Sequence, residues 1–202
     1  NFLADEENVG YGFRPATSFL NDSSYALRDQ GRLDYIPSEY WMYEKTATVG
    51  LNCKVAMIEV TKPDAHGYMS MGTCTDFIRR ACKDADLVIA ETNTEFPFIQ
   101  GNNLIHISEI DYVVDEGENY ALKNAPIDVD EECLDTYKVI GGYLSGLIPN
   151  EATIEVGLGR LNAASLLFLE GKHDLGVHTE VYGDILMRLT EQGIITNACK
   201  SM

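Results

Sequence analysis

KVAMIEVTKPDAHGYMSMGTCTDFIRRACKDADLVIAETN, residues 54–93, decides the fold class. Its opening, Lys54 to Val60, is a short apolar run bounded by polar residues, the pattern of a buried strand. KPDAHG follows as a cluster of turn-formers, in which proline fixes φ and glycine tolerates a left-handed backbone. From Thr75 to Ala85 apolar residues recur at helical spacing, and Asp86 to Asn93 is a second apolar run. Strand, helix and strand in about forty residues predict a βαβ unit, because parallel strands need a crossover of helical length between them.

Outward from this unit, EFPFIQGNN reads as a loop and LIHIS, Leu104 to Ser108, as a third strand. Towards the C-terminus the alternation returns. Val129 to Ile148 fits a helix with Asp128 or Asp130 as its cap. Thr153 to Gly159 is a strand entering a glycine turn, and Leu161 to Gly171 is a helix stopped by its glycine. DLGVHTE is a short strand ending at Glu180, and GDILMRLTEQG is a further helix ending at Gly193. The sum is an α/β architecture, a mainly parallel sheet flanked by helices, with no internal repeat. Ligands gather at the strand ends of such sheets.

Composition bounds the function. The chain has 202 residues, 45% hydrophobic and 23% charged, which is enough for a sizeable core in one or two domains. A net charge of −17 repels nucleic acid and anionic membranes, so neither is expected as a partner. The acid is uneven: carboxylates crowd Asp115 to Asp135 against the single Lys123, which reads as an exposed connection. No apolar run approaches the ~20 residues that span a bilayer. Cys53, Cys74, Cys82, Cys133 and Cys199 are scattered, odd in number and without a C-x-x-C pair. With no basic and apolar leader at the start, this pattern predicts free thiols in a reducing cytoplasm. The missing initiator methionine and the abrupt TNACKSM predict a piece of a longer protein or a processed end.

Several motifs bear on chemistry. VGLGRLNAA is a strand, a glycine turn and a helix start. The amides of such a turn can hold an anion or a developing oxyanion, or the turn can be a plain strand-to-helix connection. It has neither the third glycine of a dinucleotide fingerprint nor the G-K-[ST] of a phosphate loop. His66, His106, His173 and His178 have no companion ligand pattern, so no metal site is expected. No G-x-S-x-G elbow exists, which sets a serine triad aside. Glu180 falls at an expected strand end, one βα unit after the glycine turn. A carboxylate nucleophile beside oxyanion-stabilising amides makes an acyl-transfer site, whereas a glutamate before a helix is also favoured simply by the dipole.

GRLDYIP (31–37), KPDAHGYMSMG (62–72), ADLVIAETNTEFP (85–97), GNNLIHISEID (101–111), IGGYLSGLIPNEATIEVGLG (140–159) and KHDLGVHTEVYGD (172–184), with GIITNACKS near the end, together resemble the acetyl-CoA hydrolase/transferase family. The resemblance runs in order along nearly the whole chain. It implies two similar α/β domains in a longer polypeptide, with 1–128 part of the N-terminal CoA-transferase domain. Residues 129–202 would then be a linker helix and the start of the second domain. It implies exchange of coenzyme A between a short-chain acyl-CoA and a carboxylate through a glutamyl thioester, and Glu180 matches the family's nucleophile in GIHSE/GIHTE. The amides of Gly157 and Gly159 become the oxyanion and CoA loop. Arg160, which the resemblance does not supply, is either a partner for a substrate carboxylate or a CoA phosphate, or a solvent-exposed arginine at the helix start. The implied partners are acyl-CoA and small carboxylates, with a homo-oligomer or a missing second half completing the site.

The sequence departs from that family at Glu155 (glutamine in relatives), at Arg160 (an added charge) and at Asn162 (proline), and again from Val181 to Ile185 after the glutamate. Hydrolysis of acyl-CoA on the same scaffold, or a non-catalytic CoA-binding subunit, are the alternatives these changes leave open.

Overall fold

The computed structural model describes residues 13–73, 75–115 and 133–200. The chain divides into two compact units, 1–123 and 124–202. The expected domain boundary after residue 128 and most of the acidic connection (116–132 of Asp115 to Asp135) lie outside the described residues, while Asp115 ends a strand and Asp135 lies in the first turn of a helix.

In the first unit, β1 (Ala16–Thr17) pairs in parallel with β2 (Asp34–Tyr35) across helix α1 (Asp22–Asp29). Asn21 caps α1 by accepting the Ser24 N–H at 3.1 Å, while the Ser24 hydroxyl accepts the Asn21 N–H at 2.7 Å. A helical stretch follows, containing α2 (Tyr43–Lys45) and a π-helical turn over Thr46–Gly50. The quoted stretch then builds the sheet: β3 (Val55–Val60), β4 (Tyr68–Ser70), α3 (Ile78–Asp84) and β5 (Leu87–Thr92). β3 and β5 run parallel, Val55 opposite Leu87 through Val60 opposite Thr92, which is the βαβ unit the sequence implies.

Two expectations change here. LIHIS contributes β6 (Leu104–His106), but β6 pairs antiparallel with β4 in a separate ribbon, Met69 opposite Ile105. The third strand of the parallel sheet is β7 (Tyr112–Asp115), which lies beside β5 with Ile89 opposite Tyr112. The apolar run LIHIS carries no mark of its partner, and the turn chemistry settles it. Asp64 Oδ1 accepts the Tyr68 and His66 N–H groups, each at 2.8 Å, folding the chain back sharply into β4. Gly67 (φ +85°) clears the His106 ring, whose Nε2 would lie 2.6 Å from any Cβ there. The helix expected from Thr75 begins only at Ile78.

Ala56, Val60, Met69, Met71, Cys82, Val88, Ala90 and Ile105 form the core of this unit. Burial pushes the Cys82 thiol above its usual range, as expected for a small apolar-packed side chain. The opposite sheet face is open, with Met57 78% and Tyr112 63% exposed beside Val55 and Val114.

The second unit comprises α4 (Leu134–Leu147), β8 (Thr153–Ile154), α5 (Arg160–Leu166), β9 (Gly176–Val177) and α6 (Asp184–Glu191). β8 and β9 are parallel, Thr153 opposite Gly176 and Ile154 opposite Val177, and a bridge from Leu175 to Ile195 extends the pairing beyond β9. Both strands are shorter than the sequence implies. The strand expected to run to Gly159 stops at Ile154, and the one expected to end at Glu180 stops at Val177. Leu166, Leu169, Leu175, Val177, Ile185, Leu186, Leu189, Ile194 and Ile195 pack as one core, so α5 and α6 bury the apolar faces their spacing lays out. Gly141 brings α4 against Phe168, whose ring would lie 2.0 Å from a Cβ at that position. No helix among the described residues is long and apolar enough to cross a membrane.

Candidate functional site

The ladder between β8 and β9 ends in a side chain. Its last backbone bond runs from the His178 N–H to the Ile154 carbonyl at 3.0 Å. At the next step the Thr179 hydroxyl takes both backbone groups of Val156: it accepts the Val156 N–H at 3.1 Å and donates to the Val156 carbonyl at 3.0 Å. The backbone pairing of the two segments does not continue past this step among the described residues. The first residues released are Gly157 on one chain and Glu180 on the other. This explains the short strands and corrects the position of Glu180, which sits in a bend three residues beyond β9.

Glu180 is exposed, and among the described residues no hydrogen bond or ion pair occupies its carboxylate. It does not cap α6 either: Gly183 is the N-cap, without a side-chain bond. Gly157 and Gly159 frame the turn between β8 and α5. Gly159 has φ +135° and precedes the first residue of α5, a backbone only glycine adopts without strain. Asn162 donates from Nδ2 to the Leu158 carbonyl at 3.1 Å and so pins the turn from inside the helix. Arg160 is exposed at the first position of α5. A groove of about 340 Å³ opens beside the turn, with Leu144, Ile148, Ile154 and Val156 as apolar walls and Gly157 and Asn162 on its lining.

On the other edge of β9, Asn197 (φ +57°) accepts the Val177 N–H on Oδ1 at 2.8 Å, replacing the backbone partner a further strand would supply. The segment leading to Glu180 is therefore held from both sides by side chains, Thr179 and Asn197. A groove of about 240 Å³ lies along it, lined by His178, Thr179, Tyr182, Asn197 and Lys200. Sequence reasoning passed over Thr179, Asn197 and Lys200. The only signals were a hydroxyl residue directly before the glutamate and an Asn in a T-N turn.

The histidines divide. His178 lines that groove, while His173 pairs through Nδ1 with Asp174 at 3.0 Å. This contact and the Thr196 hydroxyl hold the Asp174 carboxyl below its usual range. His106 bonds Ser108 and the His66 carbonyl within the first unit. No group of three or more His, Cys, Asp and Glu side chains suited to a metal converges among the described residues.

Similarity to known proteins covers both units. The model of the acetyl-CoA hydrolase/transferase N-terminal domain matches residues 4–122, so Glu180 lies beyond it. The 4-hydroxybutyrate coenzyme A transferase of Clostridium kluyveri is 35% identical over 200 residues, covering 98% of this chain and 45% of that protein. RipA from Yersinia pestis superposes with a TM-score of 0.81 at 29% identity, covering 91% of this chain and 44% of RipA. The 4-hydroxybutyrate CoA-transferase of Porphyromonas gingivalis superposes with a TM-score of 0.73 at 30% identity, covering 91% and 46%. The fold is thus that of the CoA-transferases, and the chain spans less than half the length of these relatives.

Proposed function

We propose, because the chain belongs to the acetyl-CoA hydrolase/transferase family, that it carries the nucleophile of an enzyme moving coenzyme A between a short-chain acyl-CoA and a carboxylate. The observation that supports this most is the Thr179–Val156 tie, which fixes the residues directly before Glu180 and Gly157, with no bond to the Glu180 carboxylate among the described residues. The relatives named above as transferases favour transfer over hydrolysis.

In this reading a Glu180 oxygen attacks the thioester carbonyl of the acyl-CoA. The tetrahedral oxyanion meets amides of the Gly157–Gly159 turn, and collapse expels CoA thiolate and leaves an acyl–glutamyl anhydride. The thiolate attacks the glutamyl carbonyl carbon, releasing the first acid as its carboxylate and forming a glutamyl–CoA thioester. The incoming carboxylate attacks that thioester and expels thiolate, which takes the new acyl group from the second anhydride and restores Glu180. Each step exchanges one acyl bond for another, so the thioester energy is kept. The apolar groove beside Gly157 suits a short aliphatic chain. Polypeptide beyond this chain, linked to it or supplied by another copy, completes the CoA site. A reducing cytoplasm suits the free thiols of Cys53, Cys82, Cys133 and Cys199.

The test is chemical trapping. Incubation of the complete protein with an acyl-CoA, then borohydride reduction and peptide mass analysis, places the modification on Glu180. Undiminished turnover by Glu180→Ala refutes the assignment, and CoA release indifferent to added carboxylate turns the reading to hydrolysis.

A further inference from the structure

The GIITNACK stretch is not used by the chemistry above, yet it is folded to bring Lys200 alongside the Glu180 segment. Asn197 adopts a left-handed backbone, and the Lys200 N–H donates to the Asn197 carbonyl at 3.3 Å, closing a tight turn. The turn lays the lysine stem across β9 at Gly176. A Cβ on Gly176 would lie 3.1 Å from Lys200 Cβ and 2.8 Å from Thr153 Oγ1, so the glycine makes room for the stem. The lysine is half-buried, and among the described residues no carboxylate pairs with it.

Lys200 shares its groove with His178, Thr179, Tyr182 and Asn197. Three of these are already committed: the Thr179 hydroxyl serves Val156, Tyr182 shares a short 2.5 Å hydrogen bond with Thr190, and Asn197 Oδ1 serves Val177. The Lys200 ammonium and the His178 ring remain to meet a ligand. The groove, about 240 Å³ and open to solvent, has room for a small anion with part of its hydration. In a chain of net charge −17, a cation that pairs with no carboxylate among the described residues, in a groove lined by the residues on either side of Glu180, is otherwise unaccounted for.

We propose that the groove formed by His178, Thr179, Tyr182, Asn197 and Lys200 is an oxyanion-binding subsite, in which Lys200 receives the carboxylate of the acid that exchanges at Glu180. The identity of that acid rests on the transferase reading; the binding of an oxyanion does not. A phosphate of coenzyme A presents the same chemistry, and the experiment separates the two.

The complete protein, Lys200→Gln and Lys200→Arg are each titrated calorimetrically with acetate and with inorganic phosphate, then assayed for KM of the free acid and of the acyl-CoA. Loss of a charge-assisted contact weakens binding by about tenfold to a hundredfold. The expected result is that Lys200→Gln raises KM for the acid on that scale, leaves KM for the acyl-CoA unchanged and abolishes acetate binding, and that arginine restores both. A rise confined to KM for the acyl-CoA, with lost phosphate binding, supports the oxyanion site with CoA as its source. Anion binding and both KM values unchanged in a folded Lys200→Gln overturn the subsite. Lys200-dependent acetate binding in a protein without transfer activity leaves the subsite standing and removes the transferase reading instead.

Discussion

Replacing Thr179 by valine removes one oxygen and keeps the shape of the side chain. That oxygen accepts the Val156 N–H at 3.1 Å and donates to the Val156 carbonyl at 3.0 Å, so two hydrogen bonds go at once. A hydrogen bond contributes a net ~0.5–1.5 kcal/mol, which puts the loss at about 1–3 kcal/mol. Both residues are half-buried, so water reaches part of the deficit and the lower half of that range is expected. Serine keeps the oxygen and should recover most of the loss. Two measurements distinguish a local tie from a general packing effect. Urea unfolding gives the stability change, and amide hydrogen exchange should accelerate at Val156 in Thr179→Val but not in Thr179→Ser. In the complete protein the same valine variant should lower kcat more than it raises KM for acyl-CoA, because it loosens the relation between Gly157 and Glu180. Unchanged exchange at Val156, with stability within the error of the parent, refutes the idea that Thr179 holds the two loops together.

Adjacent glycines in α4 should respond with opposite signs. Gly142→Ala meets nothing within 4 Å and should stabilise by roughly 0.5–1 kcal/mol through helix propensity, whereas Gly141→Ala drives a methyl into the Phe168 ring and should destabilise by about 1–3 kcal/mol, both read by chemical denaturation. The β3–β4 turn should be acid-sensitive. Bonds from Tyr68, then His66, hold the Asp64 carboxyl below its ordinary 3.8, so the unfolded chain takes up the proton first. The stability this carboxylate contributes is present above about pH 4 and fades as pH falls through the lower folded value, and Asp64→Ala should remove that part of the acid transition in a pH-dependent melt.

The parts of the fold legible in the sequence are those where periodicity and burial agree. β3 and β5 are apolar runs buried in a parallel pair, and α6 carries a regular apolar stripe facing one core. β7 was not legible, since Tyr-Val-Val-Asp is short, exposed and next to the acidic stretch, and it becomes a strand only because β5 offers it an edge. β6 is legible as a strand, but its neighbour is not, because the pairing depends on the Asp64 turn and the Gly67 approach to His106. At the candidate site, the family pattern marked Glu180 and the glycine turn. The residues that position them did not show, because Thr179 and Asn197 act by replacing backbone partners in three dimensions, and such substitution leaves no period in the sequence.

The open face of the β3–β5–β7 sheet has a calorimetric consequence. Val55, Met57, Tyr112 and Val114 are already wet in the folded chain, so unfolding hydrates less new hydrocarbon than a closed domain of this length would. The heat-capacity increment of this chain should fall below the usual ~12–15 cal/mol/K per residue. Its stability curve should be correspondingly flat, with cold and heat denaturation spread far apart around a shallow maximum.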